Sequence, residues 1–191
     1  MIKIVNESYN AAKAKNLVLK SLIKHYLPSN GGYGISKAEQ TEFAKEDALK
    51  HIDTAGYTDA DFEELAEFLN SLTFPITVYR GLSNKDRSTI KTGINSGVHW
   101  TIDPEYIKNQ TNLLKFTYVM IGTFDEKDVD LPKTAETYLG YSMKDQKKRY
   151  NKHREMEIWV KQRKEPKNLE IITFDEFCER YWGVHINETE N

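Results

Sequence analysis

Residues 74–81 read FPITVYRG, and the character of the chain changes at this stretch. Upstream of it, helix-forming residues and helix-start signals dominate. The run ITVYR alternates and is rich in β-branched residues, which is typical of a β-strand, and Gly81 ends it. Because helices precede this stretch and mostly strands follow it, the sequence predicts an α+β chain rather than a regularly alternating α/β one.

The helical part extends to about Leu72. Residues 10–26 form a first predicted helix, and Ser36 with Glu39 three residues later predicts a capping box at the start of a second. A third helix is predicted to begin near Thr58. Its apolar residues recur at the spacing of one helix face: Phe62, Leu65, Ala66, Leu69 and Leu72.

After Gly81 the sequence predicts further strands at 97–101, 113–124, 155–161 and 169–173. Asp103 and Pro104 open a short helix, and residues 175–182 form a closing one. Residues 125–154 are expected to be long, polar and irregular, and such segments in compact domains are often functional.

The length of 191 residues predicts one domain, with a helical part at 1–73 and a β core with a closing helix at 74–191. A formal net charge of −2 argues neither for nor against a nucleic-acid partner. The run 144–154 is locally basic, and the more ordinary interpretation of it is a solvated face.

Cys178 is the only cysteine, so a disulfide within the chain and a cysteine-based zinc site are both excluded. It lies on an apolar helical stripe and is expected to be buried and unreactive. The first residues lack the apolar stretch of a signal peptide, and no segment has the length of a membrane span. We therefore expect a cytoplasmic protein with no membrane partner.

Glu155 and Glu157 stand two apart in a run that alternates as a strand does, so both carboxylates are expected on one face. Neighbouring carboxylates repel each other unless a cation or a substrate lies between them. A solvated edge strand would explain the pair equally well if it stood alone. Arg80 and the segment 98–101 also occupy strand-like positions, so three elements could close around one ligand.

These residues, taken in order, resemble the motifs of the ADP-ribosyltransferase superfamily, in the branch marked by an arginine, a Ser-Thr-Ser-like strand and a Glu-x-Glu pair. The segment VYRGL at 78–82 is similar to the first motif, GVHWTIDPE at 97–105 to the second, and EME at 155–157 to the third. The resemblance covers about residues 74–174, and small phage-encoded members are the most similar in type. The Ser-Thr-Ser triplet corresponds to residues 99–101, HWT, in which only Thr101 has a hydroxyl.

The resemblance implies a split, mostly antiparallel β-sandwich and the transfer of ADP-ribose from NAD, a co-substrate, without a metal. Glu157 would hydrogen-bond a ribose hydroxyl and stabilise the oxocarbenium-like transition state. Glu155 would orient or deprotonate the acceptor, which a glutamate at this position implies to be a protein arginine.

The remaining cofactor-binding residues also follow from the resemblance. Arg80 would hold a phosphate or ribose of NAD, and Gly81 would let the ligand approach the backbone. Thr101 would orient Glu157, and His99 would contact the ribose on the nicotinamide side. Trp100 belongs to the same motif, although a tryptophan in a strand is more often a core residue.

The acceptor is expected to contact the segment 125–154 through Tyr138, Tyr141 and Tyr150, since exposed aromatic residues on a loop suit recognition. Anchoring of these rings against the core is an equally good explanation. The expected partners are NAD and a target protein, or a nucleic acid, in the cytoplasm (the host cytoplasm if the protein is phage-encoded).

Three other functions stay open at the level of sequence. Water could be the acceptor, which would make the protein an NAD glycohydrolase, or RNA or DNA could be, which the basic run 144–154 favours. A non-catalytic phage protein that binds and inhibits a host system is a further possibility. A glycosidase has little support, because carboxylates two apart on one strand do not flank a bond from opposite sides.

Overall fold

The computed structural model describes residues 8–27, 36–83, 99–142 and 156–184. These ranges contain six α-helices, one 3₁₀-helix and five strands, which confirms the predicted α+β class. In chain order the elements are α1 (Ala11–Tyr26), α2 (Lys37–Ala55), α3 (Asp59–Ser71), β1 (Ile76–Leu82), β2 (His99–Thr101), α4 (Pro104–Leu114), β3 (Tyr118–Phe124), the 3₁₀-helix (Glu126–Asp128), α5 (Leu131–Ser142), β4 (Glu157–Trp159), β5 (Lys167–Thr173) and α6 (Phe174–Trp182).

Two compact units make up the described chain, and one of them is helical. The helical unit consists of α1, α2, α3 and α5, and the other unit is built on the sheet together with α4 and α6. The first boundary between them falls between Thr73 and Phe74, where the sequence changes character. None of the described helices is both long and apolar enough to cross a membrane.

The helix starts in the first unit follow the sequence closely. Ser36 and Glu39 form the predicted capping box, in which each side chain bonds the backbone N–H of the other. Thr58 caps α3 in the same way with Asp61. Gly56 ends α2 in the left-handed conformation, at a φ of 70°, which glycine adopts without steric cost.

The core of the helical unit forms along α1, which packs against α2, α3 and α5. The apolar stripe predicted for α3 is buried along its whole length, which confirms that prediction. On α5, Ala135 and Leu139 are fully buried, and the ring of Tyr138 stacks on Phe68 with 4.3 Å between the ring centroids. These contacts give the helical unit a hydrophobic core of its own.

The prediction of an irregular segment at 125–154 is wrong for residues 126–128 and 131–142, which form the 3₁₀-helix and α5. The sequence hides α5 because Pro132 near its start reads as a breaker, although proline fits the first turn of a helix. Thr134 also interrupts the apolar stripe, and yet it is completely buried. Residues 143–155 lie outside the described ranges.

The five strands form one sheet in the order β4-β2-β1-β3-β5, and every described pair is antiparallel. The strand predicted at 113–124 begins only at Tyr118, because residues up to Leu114 belong to α4. Lys115, whose φ is 47°, then turns the chain out of the helix. The described strands lie in one sheet, so the predicted two-sheet sandwich stays a prediction.

One face of the sheet packs against α4 and α6. Tyr79 lies at its centre, with the ring of Phe177 at 5.8 Å and that of Tyr181 at 5.5 Å, centroid to centroid. Cys178 is fully buried in the same cluster, as predicted, and burial raises the pKa of its thiol. The other members of this core are Ile107, Val119, Ile121, Ile172 and Phe174.

Candidate functional site

The three sequence motifs fall on three neighbouring strands. Arg80 lies on β1, Thr101 on β2 and Glu157 on β4, and β2 is hydrogen-bonded to both of the others. The strand that carries Glu157 comes last of these three in the chain but pairs directly with the strand of the second motif. Thr101 and Glu157, more than fifty residues apart in the sequence, thereby occupy adjacent positions in one sheet.

Glu157 is a buried carboxylate, with only 4 % of its side chain exposed. Its Oε1 hydrogen-bonds Nδ1 of His99, whose side chain is 55 % exposed. The His99 ring also lies against Trp159, with 4.0 Å between the ring centroids and an angle of 58° between the planes. The result is a buried carboxyl group that is hydrogen-bonded to a half-exposed imidazole.

Thr101 is directly opposite Glu157 in the register of β2 and β4. Its hydroxyl accepts a hydrogen bond of 3.0 Å from the backbone N–H of Asp103, and Oδ1 of Asp103 accepts one of 2.9 Å from Glu105. Thr101 thus helps to shape the turn into α4, as Asp103 does at the helix start. The resemblance implies that Thr101 orients Glu157; in the structure, His99 hydrogen-bonds Glu157.

Arg80 and Trp100 lie together on the other face of the sheet. Directly opposite residues of an antiparallel pair share a face, so the pairs Tyr79–Thr101 and Thr101–Glu157 place Glu157 on the Tyr79 face. Arg80 follows Tyr79 and therefore projects the opposite way. The structure brings His99, Thr101 and Glu157 together on one face, and separates Arg80 and Trp100 from them.

Arg80 is half-buried, and desolvation lowers the pKa of its guanidinium from the ordinary value. Its carbon Cζ lies 5.9 Å from the centre of the Trp100 ring, at the outer limit of a cation–π contact. Within the described ranges, neither Nη1 of Arg80 nor Nε1 of Trp100 has a hydrogen-bond partner, although both atoms are buried. Both donors lie on the sheet face opposite to that of Glu157.

Gly81 lies against the ring of Phe116. A Cβ atom at Gly81 would come within 2.6 Å of three atoms of that ring, so the space left by the missing side chain is filled by protein. We expected a ligand to approach the backbone at Gly81. On this side of the backbone, the Phe116 ring occupies that space. Trp100 is likewise a core residue, 2 % exposed and in edge-on contact with Phe124.

The tyrosines proposed to recognise the acceptor are described only in part. Tyr138 lies on α5 and is 9 % exposed, and its stacking on Phe68 matches the anchoring explanation. Tyr141 belongs to the same helix, and its side chain is outside what the structure describes. Glu155 and Tyr150 also lie outside the described residues.

Trp159 is the site residue that the sequence analysis missed. It pairs directly with His99 across β2 and β4, on the same face as Glu157. The strand alternation carried the signal, since Trp159 stands two residues after Glu157, but the partner across the sheet was not visible in the sequence. The His99–Trp159 contact gives the site an aromatic rim beside the buried carboxylate.

Among the described residues, no group of three or more histidine, cysteine, aspartate or glutamate side chains is placed to hold a metal ion. No protein-family model, no curated protein and no solved structure matches the chain. The chemistry available on the Glu157 face is that of a buried carboxylate with an imidazole partner. Such a group can stabilise positive charge that develops on a bound molecule.

Proposed function

We propose that the protein is an NAD-dependent mono-ADP-ribosyltransferase, which transfers ADP-ribose to a protein arginine and releases nicotinamide. The observation that supports this most strongly is the burial of Glu157 beside His99 on β4, which pairs with β2, the strand of the second motif. A glutamate in a solvated edge strand, the main alternative explanation of the motif, would be exposed.

Breaking the bond between nicotinamide and ribose leaves positive charge on the ribose ring in the transition state. A carboxylate that is removed from water stabilises this charge more than a solvated one does, because little solvent screens the interaction. The ribose ring does not carry this charge before the bond breaks or after transfer is complete. The stabilisation is therefore largest in the transition state. Glu157 is the residue that would supply it.

Arg80 has a separate place in the proposal. Its buried Nη1, which lacks a partner within the described ranges, is a donor that a phosphate of NAD could satisfy, and arginine often binds phosphate through two hydrogen bonds. It projects from the opposite sheet face to Glu157, so its assignment to NAD rests on the resemblance. The two-sheet sandwich and the contact of Glu155 with the acceptor rest on it as well.

The proposal is tested by following NAD labelled in its adenine half. The full-length protein is incubated with labelled NAD and with protein or RNA fractions of a bacterial lysate, and the label is traced. Label on protein arginines is the expected result. Label on RNA, or only free ADP-ribose, would instead support a nucleic-acid transferase or a glycohydrolase, and a protein that neither binds nor consumes NAD would contradict all three.

A matched pair of variants connects the activity to the site. Glu157→Gln keeps the size of the side chain and removes its charge, whereas Glu170→Gln makes the same change at a half-exposed carboxylate on β5. Loss of a preorganised charge in an active site costs on the order of a hundredfold or more in rate. We expect this loss for Glu157→Gln and a nearly unchanged rate for Glu170→Gln.

A further inference from the structure

We propose that His99 is the positioning residue that holds the Glu157 carboxylate in place for cleavage of NAD, an inference that rests on the proposed function. The resemblance assigns this task to Thr101 and places His99 against the ribose. In the structure, Nδ1 of His99 bonds Oε1 of Glu157, while the Thr101 hydroxyl accepts the N–H of Asp103.

The contact crosses the sheet diagonally. Thr101 is opposite Glu157 and His99 is opposite Trp159, so His99 reaches the residue two positions before its own partner. Long side chains make such diagonal contacts on one sheet face. The Trp159 ring, 4.0 Å away between centroids, limits the directions in which the imidazole can turn. One neighbour therefore orients His99, and His99 in turn orients Glu157.

The chemistry of the two groups fixes the direction of the hydrogen bond. An ionised carboxylate only accepts, so Nδ1 of His99 donates, and a neutral imidazole in this place carries its proton on Nδ1. A hydrogen bond to a charged acceptor is stronger than one between neutral groups. The donor is carried by a planar ring, and the ring of Trp159 lies against that of His99.

Two substitutions separate the donor from the ring. His99→Phe keeps an aromatic ring beside Trp159 and loses the donor, and His99→Asn keeps a donor near the position of Nδ1 and loses the ring. Loss of a hydrogen bond to a charged group is expected to lower kcat for NAD cleavage by about ten- to a hundredfold in His99→Phe, with KM for NAD changed less than about threefold. His99→Asn is expected to keep most of the rate.

The kinetic outcomes decide the role of the donor. Equal loss in both variants would show that ring packing matters and not the donor, and an unchanged kcat in His99→Phe would show that Glu157 needs no help. Either result overturns the positioning role. A lower kcat in His99→Phe together with a retained one in His99→Asn supports it.

A second readout does not depend on activity. Nitrogen NMR of histidine-labelled protein distinguishes the two neutral tautomers of each ring, and His99→Phe identifies the His99 signals among the five histidines. The wild-type protein is expected to show the Nδ1–H tautomer at His99, and Glu157→Ala to return it to the Nε2–H form. Nε2–H in the wild type overturns the inference, even if Glu157→Ala does not fold.

The two tests also separate this inference from the proposed function. A wild-type protein that cleaves NAD but carries Nε2–H at His99 overturns the positioning role alone. A wild-type protein that shows the Nδ1–H tautomer but consumes no NAD overturns the proposed function, and with it the catalytic purpose of the contact.

Discussion

Replacing Arg80 by methionine is expected to make the protein more stable and to weaken its binding of NAD. Nη1 of Arg80 is buried and has no hydrogen-bond partner within the described ranges. A buried donor that lacks a partner costs about 1–3 kcal/mol in the free energy of unfolding. Methionine has a similar length and apolar body, and it removes this cost together with the charge.

The change also removes the contact with Trp100, which partly offsets the gain. At 5.9 Å from the ring centre, this cation–π contact contributes about 0.5–1 kcal/mol. The difference leaves a net gain of about 1 kcal/mol, since the cost of the unmatched donor is the larger quantity. For a chain of this size, that corresponds to a rise in Tm of about 2–4 °C.

Urea unfolding followed by tryptophan fluorescence measures the effect on the sheet unit, which holds all three tryptophans. Arg180→Met is the matched control, because Arg180 is half exposed and already bonds both carboxylate oxygens of Glu170. Solvent screens that pair, so its removal is expected to change the stability little. A rise in stability for Arg80→Met alone marks Arg80 as a residue kept for binding.

A loss of more than about 1 kcal/mol in Arg80→Met would refute this reasoning, because it would show that the guanidinium already has a stabilising partner. The KM for NAD is measured on the same variant. An increase of about tenfold or more is expected if Arg80 holds a phosphate, by the loss of one charge-assisted contact. Greater stability with an unchanged KM would remove Arg80 from the NAD site.

Three further predictions concern the sheet unit. Gly81→Ala places a Cβ within 2.6 Å of the Phe116 ring, so thermal unfolding should show a loss of about 1–3 kcal/mol in stability. Adding Phe116→Leu should restore part of this loss. An unchanged stability in Gly81→Ala would contradict the close packing of Gly81 against Phe116. Phe177→Ala, at a fully buried ring, should cost about 3–5 kcal/mol in urea unfolding, and a cost below about 1 kcal/mol would contradict its place in the core. Nζ of Lys167 lies 2.6 Å from Oδ2 of Asp125, and this hydrogen bond lowers the pKa of the Asp125 carboxyl. The pair therefore stabilises the fold above the ordinary pKa of about 4. This stability is lost as the pH falls through the lowered pKa. Urea unfolding from pH 7 to pH 2 should therefore show a weaker dependence on acid in Lys167→Met, and identical curves would argue against the pair.

Local features of this fold were readable from the sequence because they depend on residues close together in the chain. The capping box of Ser36 and Glu39 spans three residues, and the buried stripe of α3 follows from helical spacing alone. The alternation of apolar and polar residues correctly predicted that the β1 and β4 segments are strands. The apolar stripe of α5 was missed because Pro132 and Thr134 obscured it.

The arrangement of the site depends on pairing across the sheet, which no local pattern encodes. The register of Tyr79 with Thr101 decides that Arg80 and Glu157 occupy opposite faces, and a shift of one residue would have put them on the same face. The contact between His99 and Glu157 joins residues 58 apart in sequence. The sequence therefore predicted strands for Arg80, Thr101 and Glu157 but could not show which side chains meet.

The most direct test of the account is the rate of nicotinamide release from NAD by the wild-type protein and by Glu157→Gln. In the proposed reaction, the buried Glu157 carboxylate stabilises the positive charge that forms on the ribose as its bond to nicotinamide breaks. The account predicts release by the wild type and a rate lower by about a hundredfold or more in the variant, with both proteins equally folded. Equal rates in the two proteins, or no release by the wild type, would contradict it.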